Sequence, residues 1–197
     1  MKKYSALILL ITAATGCVSY TALTEIEPDG SGYLAIRVEV PQSEEAYVSV
    51  TDFGITDSTE GWEMTSMSAD TSDTVIVYRL EGAFASPEVL ESVFGIDIMS
   101  FEKEIKGDVV RYHLSRPPVY MPATELEGYF ESTESLLKTV FKYGSEKYSW
   151  TEKLVLPGEI VKNNAHKHKG DTLIWEVDVS DLINEEFMVD VVWEVPR

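Results

Sequence analysis

The groups in this chain best suited to chemistry are a lone thiol, a histidine pair, clustered carboxylates and four tryptophans. Cys17 is the only cysteine. It can form no internal disulfide, so its sulfur calls for another use. His166-Lys167-His168 spaces two imidazoles at i and i+2. On a strand they would share a face and could hold a transition metal with a carboxylate such as Glu159. Lys167 and Lys169 flank the pair, and cations oppose metal entry, so an exposed basic loop is expected and no metal. His113 shares a strand face with Arg111, which reads as an exposed strand position. Glu44-Glu45, Glu185-Glu186 and the pair Asp70 and Asp73 fit helix starts and solvated turns. The chain contains no Asp-x-Asp-x-Asp-Gly calcium loop, no Gly-rich phosphate loop and no Gly-x-Ser-x-Gly elbow. No enzymatic role and no cofactor is expected from these groups.

The surroundings of Cys17 give its sulfur a use. Lys2 and Lys3 form a short positive start, Ala6 to Ile11 is apolar, and small residues run from Thr12 to Gly16. This is the order of parts in a secretory signal, and the apolar run is too short to span a bilayer as a helix. Ala14-Thr15-Gly16-Cys17 resembles the bacterial lipobox, in which small residues precede a cysteine that becomes a lipidated N-terminus. Ala14 stands where that pattern most often has Leu. The resemblance implies a signal segment over 1–16, lipidation of Cys17, and a membrane held through that lipid. A diacylglycerol plus a third acyl chain exceeds the single chain that gives only marginal anchoring. Val18 rather than Asp follows the cysteine, which favours the outer membrane.

Composition bounds the rest. The chain has 197 residues, 44% of them hydrophobic and 25% charged, enough for a packed core. Its formal net charge is −18. A field of that sign repels phosphate backbones, so nucleic acid is not an expected partner.

The elements that must position these groups are mostly strands. Tyr33 to Val40 alternates, with Leu34, Ile36, Val38 and Val40 on one face. Tyr20 to Glu27 precedes it across the turn Pro28-Asp29-Gly30-Ser31-Gly32. Further hairpins are expected around Asp70-Thr71-Ser72-Asp73 and Lys106-Gly107-Asp108, with Arg116-Pro117-Pro118 ending the sheet after Leu114. Lys147 to Leu156, Asp171 to Val179 and Phe187 to Val195 supply later strands. Helices are expected from Ser43 to Phe53, from Pro87 to Gly95, and through a longer segment ending at Tyr143. The sum is an α+β fold: a mostly antiparallel curved sheet of about eight strands covered by two or three helices. Residues 17–197 are expected to form one domain.

The run Leu154-Val155-Leu156-Pro157-Gly158-Glu159, the Asn163-Asn164 loop, the Gly170-Asp171 turn and the strand carrying Trp175 resemble the C-terminal signature of the LppM-like lipoproteins. That resemblance implies an α+β domain in which a curved sheet and a helix enclose an apolar cavity for envelope lipid. It carries no catalytic residue. It assigns structural roles to Pro157 and Gly158 as a turn and to Trp175 as core.

The walls of such a cavity are expected to be Leu136, Val140 and Phe141 on the helix from Ser132 to Tyr143, with Trp150, Trp175 and Val177 on strands. The first functional expectation is therefore a lipid-anchored envelope protein that binds lipid or another hydrophobic ligand without catalysis. The second is an interaction or assembly protein with a solid core that docks a membrane protein. Both readings use the same apolar residues.

Overall fold

In the computed structural model, residues 19–41, 59–94, 99–119, 149–178 and 187–197 are described. They form eleven strands, β1 (Ser19–Ile26), β2 (Gly32–Pro41), β3 (Trp62–Thr71), β4 (Val75–Phe84), β5 (Ser100–Lys106), β6 (Val109–Val119), β7 (Ser149–Val155), β8 (Glu159–Asn163), β9 (Lys167–Lys169), β10 (Thr172–Asp178) and β11 (Phe187–Pro196). The single described helix, α1 (Glu88–Phe94), lies between β4 and β5. The strands make two sheets: seven in the order β3-β4-β2-β1-β7-β10-β9, and four in the order β5-β6-β11-β8.

The α+β expectation is thus corrected to a nearly all-β architecture. A seven-residue helix is about 10 Å long, whereas seven strands span roughly 29 Å. Among the described residues it is the second sheet, not a layer of helices, that packs against the first in one shared core. Of the three expected helices only α1 lies within the described residues; 43–53 and the segment ending at Tyr143 lie outside them. α1 buries Leu90 and Val93, and its Glu91 carboxylate accepts the Phe101 backbone N–H at 2.5 Å, fastening it to β5.

Period-two patterning sets the core. β1 and β4 alternate half-buried and buried positions along their whole length. Leu34, Leu80, Leu173 and Trp175 from the larger sheet meet Leu114, Val191 and Trp193 from the smaller one in a single apolar cluster. Phe101, Tyr112 and Trp193 pack with ring centroids 5.2–5.7 Å apart.

Three features depart from the expected strand layout. First, the hairpins are antiparallel as expected, but β1 and β7 pair in parallel, Tyr20 against Trp150. A parallel pair requires a long crossover, and more than a hundred residues separate these two strands. Second, Arg116-Pro117-Pro118 does not end the sheet. β6 continues to Val119 because the register against β11 shifts between Phe187 and Val189, opposite the prolines. Proline, lacking an N–H, is tolerated at such a bulge. β5 begins at Ser100 opposite Ser115, so among the described residues no partner strand on that side needs a proline N–H. Third, β8 and β9 occupy what reads as loop. β9, Lys167–Lys169, is an exposed edge strand on β10, and the two histidines bond backbone: His166 Nδ1 lies 2.8 Å from the Glu176 carbonyl and His168 Nε2 2.8 Å from that of Gly170.

The Asn-bearing connection between β8 and β9 joins the two sheets. Asn164 Oδ1 accepts the Trp175 indole N–H at 3.0 Å and the Asp190 backbone N–H at 2.9 Å, while its amide nitrogen donates to the Met188 carbonyl at 2.7 Å. Replacing Asn164 by Ala orphans an indole N–H inside the core. The expected loss is about 2–3 kcal/mol, since a buried unmade donor costs roughly 1–3. Asn164→Asp keeps the acceptor and should lose less. Urea unfolding of both variants checks the ranking.

A charge network lies on the outer face of the smaller sheet. Asp190 accepts hydrogen bonds from Lys162 and, at 2.8 Å, pairs with His113 Nε2. Its carboxyl is held below the usual carboxylate range, first by the Lys162 hydrogen bond and then by His113. A depressed carboxylate stabilises above its unfolded pKa and loses that contribution as pH falls through its folded value. Asp190→Asn should therefore be less stable than the parent at neutral pH, and the gap should close in acid. Paired denaturation curves across that range test this.

Candidate functional site

The inward row of β7 reads Trp150, Glu152, Leu154, so alternation sends a carboxylate into the core. On β6 the inward row is Tyr112, Leu114, Arg116, and it sends a guanidinium from the opposite sheet. The two charges meet between the layers: Arg116 Nη1 bonds Glu152 Oε1. Their side chains are only 10% and 14% exposed, so the ion pair is largely removed from water.

Aromatic rings complete the centre. Parallel pairing sets Tyr20 beside Trp150 with centroids 4.1 Å apart and planes at 29°. The Arg116 guanidinium lies 4.9 Å from the Trp150 ring centroid, within cation–π range. The Trp150 indole N–H donates to Glu152 Oε1 at 3.1 Å. One carboxylate oxygen thus receives both the guanidinium and the indole. Burial pushes the Tyr20 phenol up from its ordinary value, opposed by the Arg116 charge. Burial also lowers the Arg116 guanidinium. Among the described residues, Arg116 Nε has no hydrogen-bond partner.

Beside this centre is a cavity of about 30 Å³, lined among others by Thr24, Met99, Arg116, Glu152 and Trp175. A water needs roughly 10–15 Å³ of such space, and drug-sized ligands occupy about 300–1,000 Å³ pockets. The cavity accommodates a water or two and no acyl chain.

The sequence-derived wall residues divide accordingly. Trp175 lines the cavity, is fully buried and sits opposite Glu152 in register. Val177 is buried and pairs with Trp150, and neither lines the cavity. Leu136, Val140 and Phe141 lie outside the described residues, as does Cys17. Sequence reasoning missed Arg116, Glu152 and Tyr20. The available signal was a charge at an inward position of each alternating strand, concealed on β6 because the prolines seemed to end it. Among the described residues no three His, Cys, Asp or Glu side chains converge as metal ligands, and no described helix is long and apolar enough to cross a membrane.

Fold and site together define a two-sheet, mostly antiparallel β domain with a buried cation–carboxylate centre. No family model matches the chain, and no curated protein matches it. Among solved structures, the NMR structure of the folded domain of LppM from Mycobacterium tuberculosis is similar at a TM-score of 0.48, with 10% identity over 93% of each chain.

Proposed function

We propose that this chain is a lipoprotein of a bacterial cell envelope, held at the outer membrane through lipid on Cys17, whose β domain serves as a non-enzymatic interaction or assembly module. The observation that supports a packed module over a carrier is the small cavity that Arg116 and Glu152 line among the described residues. It measures about 30 Å³ and is flanked by an ion pair whose charges neutralise each other. A hydrophobic tail would have to displace that pair or the rings around it. Mutual neutralisation also leaves the centre without a free charge to polarise a substrate.

The carrier reading has one observation in its favour. Arg116 Nε is an unused donor next to the cavity, and Trp175 forms part of the same wall. Native mass spectrometry of residues 18–197, purified gently from a bacterial host, separates the two. The module reading expects a bare mass that stays unchanged after incubation with envelope lipids. A reproducible adduct that organic extraction identifies as lipid overturns it in favour of the carrier.

A further inference from the structure

We infer that the outer face of the larger sheet docks a second copy of this chain, the two stacked face to face about a two-fold axis along β1. The inference rests on the module reading above and names the module's partner.

β1 is the middle strand of seven. Its Tyr20, Ala22 and Thr24 are buried against the core, so Thr21, Leu23 and Glu25 point outward. Register carries the outward rows across the sheet. Leu23 is opposite Ala35 on β2 and Lys153 on β7. Ala35 leads to Glu81 on β4, and Lys153 leads through Ile174 to Lys167 on β9. One row on, the path from Glu25 ends at Glu63 on β3 and at Lys169 on β9. The turns at this end of β1, β7 and β10, residues 27–31, 156–158 and 170–171, all lie within the described residues. The two rows therefore have an apolar middle, with Leu23, Ala35 and Ile174 half-buried, between an acidic side and a basic side. Arg37, Arg79 and Lys167 are already bonded to Glu39, Asp70 and Glu176. Lys153, Lys169 and Glu63 are exposed and make no ion pair among the described residues.

A row that runs from acidic through apolar to basic is complementary to its own reverse. Turning a second copy by a half-turn about an axis along β1 sets the basic side of each copy over the acidic side of the other. An axis across the strands would set lysine on lysine, so charge selects the first arrangement. Such an isologous pair closes on itself, and each off-axis contact is made twice. Stacked sheets lie about 10 Å apart with strands about 30° from parallel. That angle moves the edge strands by about one row, which a lysine side chain spans. Glu25 meets its own copy at the axis, with the partner's Lys153 one strand and one row away as counter-charge. The area also suits a dimer. Seven strands and the seven-residue length of β7 give a face of roughly 29 Å by 23 Å, close to the roughly 800 Å² that each partner contributes to a standard interface.

The test uses the full chain as a bacterial host processes it, purified in mild detergent. A thiol on the axis strand, Thr21→Cys, stands about 10 Å from its copy in this dimer, whereas one on the edge strand, Ser66→Cys, stands about 29 Å away. With a short bis-maleimide, the expected result is a cross-linked dimer from Thr21→Cys and none from Ser66→Cys or the parent chain. Lys169→Glu in the Thr21→Cys background should lower that yield several-fold, and adding Glu63→Lys should restore it. Equal yields from the two thiols, or a yield indifferent to both charge changes, overturn the pairing. So does a bare monomer mass in native mass spectrometry, which leaves a module whose partner is a different protein. A dimer mass carrying lipid overturns the module reading and leaves the pairing standing.

Discussion

Replacing Glu152 alone by leucine should cost about 3–5 kcal/mol of stability, whereas Arg116→Met together with Glu152→Leu should recover most of that loss. Glu152 is the only carboxylate bonded to the Arg116 guanidinium among the described residues. Without it the cation stays between the sheets, desolvated, with the face of Trp150 as its remaining partner. The Trp150 indole N–H loses its acceptor in the same step. Removing both charges eliminates the uncompensated cation, and methionine and leucine refill the apolar space. Guanidinium chloride unfolding of the two single variants and the double variant closes a mutant cycle. A large favourable coupling energy is expected. Simple additivity of the two losses would refute the view that this pair is a coupled, buried unit.

Gly158→Ala should be comparably severe, about 3–5 kcal/mol, in the range reserved for named steric failures. Gly158 has φ of +83°, a left-handed conformation that a Cβ disfavours. A Cβ built there would meet the Glu194 carbonyl oxygen at 2.1 Å. That obstacle is the backbone of β11, paired to β8 through Glu159 and Glu194, so it cannot rotate away. By contrast Gly107, φ +61°, has nothing near its absent Cβ. Gly107→Ala should cost only the conformational strain, roughly 1–2 kcal/mol. Thermal unfolding of the two variants separates the steric contribution from the conformational one. Equal midpoints would show that β11 gives way.

Some of this was legible in the amino-acid order. The Pro157-Gly158 turn was readable because these two residues have few conformational alternatives, although the clash that makes Gly158 irreplaceable comes from a strand more than thirty residues later. Alternation in Tyr33 to Val40 and in Phe187 to Val195 identified the strands and their buried faces, since the pleat repeats every two residues. Trp175 was readable as core for the same reason.

What the sequence by itself determined is local: which runs are extended, which face each buries, and where the chain must turn. The tertiary structure decided which strands meet. Period two specifies a face and not a neighbour, so nothing in the order of residues could announce that β1 pairs in parallel with β7 and places Tyr20 on Trp150. The same limit hid the second sheet, because an apolar strand face is satisfied equally by a helix or by another sheet. It also hid the ion pair. Arg116 and Glu152 each look misplaced on an apolar face alone, and become an ion pair only when the two layers close on one another.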